Sequence, residues 1–196
     1  MNIDKCDVIF CEIENFIGSE EAEEMLSIAN NSLKPMLVLG ENKPTHHRVA
    51  NGTWIPDHVS NAAISVKHKI SKLVNTSPDN FEQLHIVKYE VGGEYKAHHD
   101  YFKDEKHITK EGQRVYSALF YLNDDFDGGE TDFPKINFRA IPKKNKLLIW
   151  RNLNTNKKII EAILHAGLLQ LFFYLYLNLN KKIIEASLHA GLLQLF

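Results

Sequence analysis

The chain has 196 residues, of which 44% are hydrophobic and 24% charged, and its formal net charge is −2. This length and balance describe one soluble domain with its own core and exclude a disordered chain or a strongly basic nucleic-acid binder. Cys6 and Cys11 are too few for a disulfide framework and are not spaced as a zinc pair.

The first residues contain no basic-then-apolar leader, and the apolar run 168–177 is interrupted by Gln170, Tyr174 and Tyr176. Neither a secretion signal nor a membrane span is expected, and the expected setting is cytoplasmic. Residues 7–17 alternate enough to predict a first strand. Gly18-Ser-Glu-Glu21 opens a helix, with Ser19 as its cap and the two glutamates at its positive end. Ala22, Met25, Leu26, Ala29 and Leu33 continue it at helical spacing. A second helix is predicted over 59–74, with Val59, Ala62, Ala63, Val66, Ile70 and Leu73 on one stripe, and Asn75–Asp79 ends it.

From residue 82 the texture changes to short β-branched, aromatic and leucine-rich segments at 83–89, 114–122, 138–141 and 146–150. A further strand pattern covers 173–180. Helices first and strands afterwards predict an α+β fold, with helices packed against an antiparallel β-sandwich or barrel. The charged stretch 103–112 reads as a solvated loop, with a substrate lid as the alternative.

The C-terminal part is repetitive. Residues 154–172 recur at 178–196, and only Thr155/Leu179 and Ile163/Ser187 differ. Two copies cannot form a solenoid. The expected organisation is one domain over 1–172 followed by a duplicated segment, 173–196, that is not a domain of its own.

The chemistry-bearing pattern is Tyr89-Glu-Val-Gly-Gly-Glu-Tyr95-Lys-Ala-His98-His99-Asp100, followed much later by Leu164-His-Ala-Gly167. On a strand, His98 and Asp100 share a face while His99 points the other way. Two imidazoles and one carboxylate form a three-ligand site for non-haem Fe(II) with positions left open. His99 is expected to stay out of it.

These blocks resemble the prolyl 4-hydroxylase-like branch of the 2-oxoglutarate- and Fe(II)-dependent dioxygenases. The likeness runs from about Val8 to Gly167. It includes Glu14–Glu21, Arg48-Val-Ala-Asn-Gly-Thr-Trp54, Glu82–Tyr89, Arg114–Asn123, Gly128-Gly-Glu-Thr-Asp-Phe-Pro134 and Lys146–Asn152. The resemblance implies a double-stranded β-helix (jelly roll) with N-terminal buttressing helices. It implies that His98, Asp100 and a distal histidine hold Fe(II), and that Tyr89 and Thr131 contact 2-oxoglutarate. No catalytic residue beyond the metal ligands is implied. The implied reaction uses O2, with ascorbate as reductant, to hydroxylate a peptidyl proline or similar residue of a peptide or protein substrate, releasing succinate and CO2. The presence of Asp100 favours hydroxylation over the related halogenation, in which a small residue replaces the carboxylate. No nucleic-acid or membrane partner is expected.

The distal histidine is written twice, as His165 and His189. His165 follows His98 by 67 residues, close to the family spacing, and is the expected ligand, with His189 as the alternative. Members of this family also carry a Lys or Arg ten residues past that histidine, which holds the distal carboxylate of 2-oxoglutarate. Here position 175 is Leu. Lys181, Lys182, Arg151 and Arg139 are the candidate replacements. Two alternatives therefore stand beside the active hydroxylase: an iron-binding jelly roll with impaired or lost 2-oxoglutarate binding, and a hydroxylase of a different substrate.

Overall fold

The structure, a computed structural model, describes residues 10–36, 48–108, 112–171 and 188–195. The strand expected over 173–180 and the candidates Lys181 and Lys182 lie outside the described residues.

Both helices form where the apolar spacing places them. α1 (Ser19–Asn30) buries Ala22, Met25 and Ala29. Its cap is Gly18 rather than Ser19, because the Glu21 side chain reaches back to accept the Gly18 N–H at 2.8 Å. Leu33 falls beyond the end of the helix. α2 (Asn61–Val74) starts after Ser60, whose hydroxyl accepts the Ala63 N–H at 3.0 Å. Asn75 ends it in the left-handed conformation, with φ 52°, a region Asn tolerates better than most side chains. Val59 stays outside, 48% exposed in a short turn of 3-10 helix, so the buried stripe begins at Ala62. The same Ser60 hydroxyl donates to Glu24 at 2.8 Å, and Glu21 accepts from Lys69 and Ser65, so polar contacts tie the two helices together.

The strands in chain order are β1 (Phe10–Ile13), β2 (Lys34–Pro35), β3 (Asn51–Ile55), β4 (Leu84–Tyr89), β5 (Tyr95–His98), β6 (Tyr116–Tyr121), β7 (Asp127–Gly128), β8 (Thr131–Phe133), β9 (Phe138–Ala140), β10 (Leu147–Arg151), β11 (His165–Gly167), β12 (Gln170–Leu171) and β13 (Leu188–Leu195). Seven form a large sheet in the order β1-β10-β6-β13-β4-β3-β2. Four form a smaller sheet, β5-β11-β8-β9, and β12 pairs with β7. Every pairing is antiparallel. This is the helix-buttressed double-stranded β-helix.

Strand alternation assigns the two faces of the large sheet. Leu84, Ile86, Ala118, Phe120, Leu147 and Ile149 join α1 and α2 in the main core. Burying each of the larger of these side chains stabilises the fold by roughly 1.5–3 kcal/mol. Their neighbours Val87, Tyr89, Leu119, Tyr121 and Trp150 line a cavity facing the small sheet. A second core of Phe133, Ala140, Leu148, Trp150 and Ile163 closes the space between the sheets.

The two repeat copies are used differently. In the first, residues 165–167 form β11 in the small sheet and 170–171 form β12. In the second, 188–195 form the continuous strand β13 between β4 and β6 in the large sheet. Ala190 is in register with both Val87 and Tyr121, and Leu192 with Leu119.

Candidate metal centre and adjoining cavity

His98 ends β5, and His165 begins β11 directly opposite it in the pairing register. Asp100 lies just past the end of β5, in a bend rather than on the strand. It still turns to the same side: its Oδ1 is 3.5 Å from His98 Nε2 and its Oδ2 is 3.6 Å from His165 Nε2. One donor atom from each of the three residues lies within 4.8 Å of the others.

The hydrogen bonds define the tautomers. His98 Nδ1–H donates to the Lys96 carbonyl at 2.8 Å, and His165 Nδ1–H donates to the Ile163 carbonyl at 3.0 Å. A carbonyl can only accept, so each Nδ1 carries its proton and each Nε2 faces the carboxylate. Burial pushes His165 down to about 4, against the pull of Asp100. Burial works to raise the Asp100 carboxyl, but the facing His165 and His98 rings and the Ser117 hydroxyl outweigh it and hold it below the ordinary carboxylate range. A buried anion and two inward-facing ring nitrogens thus converge on one point. This donor set and its backbone-fixed tautomers fit a divalent first-row metal.

A second layer holds the carboxylate. Ser117 Oγ donates to Asp100 Oδ2 at 2.5 Å and accepts from Asn152 Nδ2 at 3.0 Å; Ser117 and Asn152 are fully buried. Arg114 donates to the Asp100 carbonyl at 3.2 Å while its Nε and Nη2 grip Glu82. Gln113 binds both the N–H and the carbonyl of Phe102, fixing the chain just after Asp100. Sequence reading missed Ser117 and Asn152 as site residues. Their signal was a small polar residue inside or beside an otherwise apolar strand.

His99 turns away from the centre, with Nε2 3.6 Å from the Glu161 carboxylate and 3.3 Å from the Glu161 carbonyl. His189 lies on β13, with its backbone opposite Lys88 in the large sheet, whereas His98 and His165 are on the small one.

The cavity beside the metal ligands, counted together with its opening to solvent, has about 560 Å³ of space. Tyr89 and Thr131 both line it, and Thr131 Oγ1 is 2.7 Å from the buried Tyr121 hydroxyl. Gly128 and Gly129 have φ of 78° and 69°. Two successive positive φ values favour glycine, and the resulting turn leads the chain into β8 and Thr131.

Of the candidate cations, Arg139 is 55% exposed and paired with Asp132 at 3.0 Å, on the opposite face of β8 from Thr131. Arg151 alternates with the cavity-lining Trp150 and lies over the Tyr116 ring at 5.1 Å. Neither lines the cavity. Among the described residues, the Arg or Lys that does is Arg48, which opens the Arg48–Trp54 block but is not among the expected cations.

Residues 84–170 match the model of the 2OG-Fe(II) oxygenase superfamily. The probable prolyl 4-hydroxylase 8 of Arabidopsis thaliana is 30% identical over 176 residues, covering 78% of this chain and 61% of that protein. The chain thus resembles the prolyl 4-hydroxylase-like branch of the 2OG-Fe(II) oxygenase superfamily. The prolyl 4-hydroxylase subunit alpha-1 of Gallus gallus is 31% identical over 71% of this chain and 28% of its own length. Among solved structures, the viral collagen prolyl hydroxylase of Paramecium bursaria Chlorella virus-1 superposes with a TM-score of 0.74 at 20% identity, covering 97% of each chain. A Trichoplax adhaerens prolyl hydroxylase superposes with a TM-score of 0.65 at 19% identity, over 99% of this chain and 86% of that one. The chain spans about 60% of the length of the Arabidopsis relatives it matches at 30% identity. The likeness to this superfamily supports Fe(II), 2-oxoglutarate and O2 as the cofactor set, with ascorbate as the reductant typical of prolyl hydroxylases. Among the described residues no helix is long and apolar enough to cross a membrane.

Proposed function

We propose that this chain is an Fe(II)- and 2-oxoglutarate-dependent dioxygenase that hydroxylates a peptidyl proline, or a similar residue, in a peptide or protein. Succinate and CO2 are the co-products. The observation that carries the reading is the convergence of His98 Nε2, His165 Nε2 and the Asp100 carboxylate beside a cavity lined by Tyr89 and Thr131. These three are the metal ligands, and His189 is not needed. Support comes from the named activities of the relatives, from the viral hydroxylase solved as a 2OG complex, and from the Trichoplax enzyme solved with a peptide fragment.

Bound Fe(II) supplies open coordination positions at which 2-oxoglutarate and O2 meet, coupling oxidative decarboxylation to hydroxylation of a C–H bond. The chain's own residues prepare that place. The Lys96 and Ile163 carbonyls keep the two Nε2 atoms available, and Ser117 and Arg114 orient Asp100. Val87, Leu119 and Trp150 give the cavity apolar walls that keep water away from reactive species. Tyr89 and Thr131 position the co-substrate.

A second reading is favoured by one observation: residues 188–195, which pair with β4 and β6, contain no Lys or Arg. On that reading the chain holds iron but not 2-oxoglutarate. The test incubates the protein with Fe(II), 2-oxoglutarate, ascorbate and proline-rich peptides. The expected result is succinate release together with a one-oxygen mass gain on the peptide. Iron binding without any 2-oxoglutarate binding would overturn the dioxygenase reading and leave the second.

A further inference from the structure

We propose that Arg48 is the counter-charge for the distal carboxylate of 2-oxoglutarate, taking the part of the missing basic residue on the last strand. The inference rests on the functional reading above and deepens it. A diacid entering a largely apolar cavity needs a cation at the end remote from the metal, because an unpaired buried carboxylate is strongly disfavoured. Among the described residues lining this cavity, Arg48 is the one Arg or Lys.

The state of Arg48 fits that task. Its Nε is buried and has no hydrogen-bond partner. Such a donor is costly to leave unmet, and a ligand oxygen would satisfy it. Its guanidinium lies over the Tyr95 ring at 4.5 Å, and Tyr95 is stacked on His98 at 3.6 Å. A single ring, Tyr95, thus links the cation to a metal ligand. Arg48 and the three metal ligands line the same cavity, so a diacid held at the metal end meets the guanidinium within it. Stacking on Tyr95 leaves the in-plane N–H edge of the guanidinium for a carboxylate.

The backbone places the residue as well. Arg48 makes an isolated β-bridge with Tyr95, and Val49 N–H donates to the Glu94 carbonyl at 3.0 Å. The other arginines near the site are engaged: Arg114 by Glu82, Arg139 by Asp132, and Arg151 against Tyr116 on the far side of β10. The Tyr121 and Thr131 hydroxyls add neutral hydrogen-bonding groups in the same cavity.

The test is equilibrium binding to the Mn(II)-loaded protein by calorimetry, without turnover. The two ligands are 2-oxoglutarate and 2-oxovalerate, which has the same carbon chain without the distal carboxylate. The unaltered protein is expected to prefer 2-oxoglutarate by about 10- to 100-fold, the range of a charge-assisted pair. Arg48→Gln is expected to erase that preference by weakening 2-oxoglutarate alone, and Arg48→Lys to keep part of it. Unchanged 2-oxoglutarate binding in Arg48→Gln would overturn the proposal, as would equal loss of both ligands, which marks a structural role. Equal affinity of the unaltered protein for the two acids would also overturn it, whatever the variants do, while leaving the dioxygenase reading in place. Binding of neither acid would overturn both.

Discussion

Ser117→Ala should weaken both metal binding and folding, by amounts that follow from its contacts. The hydroxyl donates to Asp100 Oδ2 at 2.5 Å and accepts from Asn152 Nδ2 at 3.0 Å, and none of the three residues is more than 7% exposed. Removing it deletes a hydrogen bond to an ionised group, about 1.5–3 kcal/mol, and leaves a buried amide donor unmet. Asn152 Oδ1 is already without a hydrogen-bond partner, so that side chain has little to fall back on. The two effects overlap, and a loss of roughly 2–4 kcal/mol of metal-free stability is expected. Because Asp100 also loses an orienting partner, metal affinity should fall by about 10- to 100-fold. Urea unfolding of the metal-free protein measures the first effect, and chelator competition for Mn(II) under folding conditions measures the second. Ser117→Thr retains the hydroxyl and should recover most of both. An alanine variant within about 0.5 kcal/mol of the parent, with metal affinity unchanged, would refute the idea that this chain of hydrogen bonds holds the carboxylate.

Further predictions concern the ligands, the pH response and the sheet. His98→Ala and Asp100→Ala should abolish the rise in thermal midpoint on adding Mn(II), whereas His99→Ala should retain it; equal loss in all three would contradict the observed orientation of His99. Trp150 packs edge-on to His165 at 4.8 Å, so in a Trp54→Phe background Co(II) should quench the remaining tryptophan fluorescence, and His165→Ala should remove that response. Burial, with Arg48 and Arg114 adding to it, pushes His85 down to about 3. Between roughly pH 6.5 and 3 the unfolded chain therefore binds a proton that native His85 does not, and stability falls as pH falls, by about 1.4 kcal/mol per pH unit from this group. His165, also depressed, contributes in parallel, so the prediction is a shallower slope for His85→Phe than for the parent in urea titrations across that window; coincident slopes would exclude it. A chain ending at residue 187 lacks β13 and leaves β4 and β6 without the strand between them. It should show no cooperative thermal transition by circular dichroism.

Much of this architecture is readable from short-range pattern. Helical spacing in α1 and α2, and alternation in β4, β6 and β10, are local properties, and the structure differs from them only at ends such as Gly18, Val59 and Leu33. The grouping of His98 with Asp100 was anticipated from strand alternation, yet Asp100 lies beyond the strand and is brought round by the bend that Arg114 and Gln113 hold. Arg48 was hidden for a different reason. Its relevance depends on a bridge to Tyr95, a contact nearly fifty positions away that no periodicity encodes. Ser117 and Asn152 likewise gain meaning only when β6 and β10 stand side by side. The repeat is the plainest limit: 164–171 and 188–195 are the same eight residues, and neighbouring structure alone makes one a strand broken in two and the other continuous.

That identity gives the folding chain a sorting problem. Either copy of Leu-His-Ala-Gly-Leu-Leu-Gln-Leu carries the same local preference for the place between β4 and β6, so the distinction must come from what flanks them. The residue immediately before the shared string is Ile163 in one copy and Ser187 in the other. Ile163 is fully buried with Phe133, Ala140, Leu148 and Trp150. Exchanging the copies would place a serine hydroxyl in that apolar contact and forfeit a buried isoleucine, a cost of about 2–5 kcal/mol. The Ile163/Ser187 difference therefore favours the observed placement of the two copies, and Ile163→Ser should make the segments rivals for one berth.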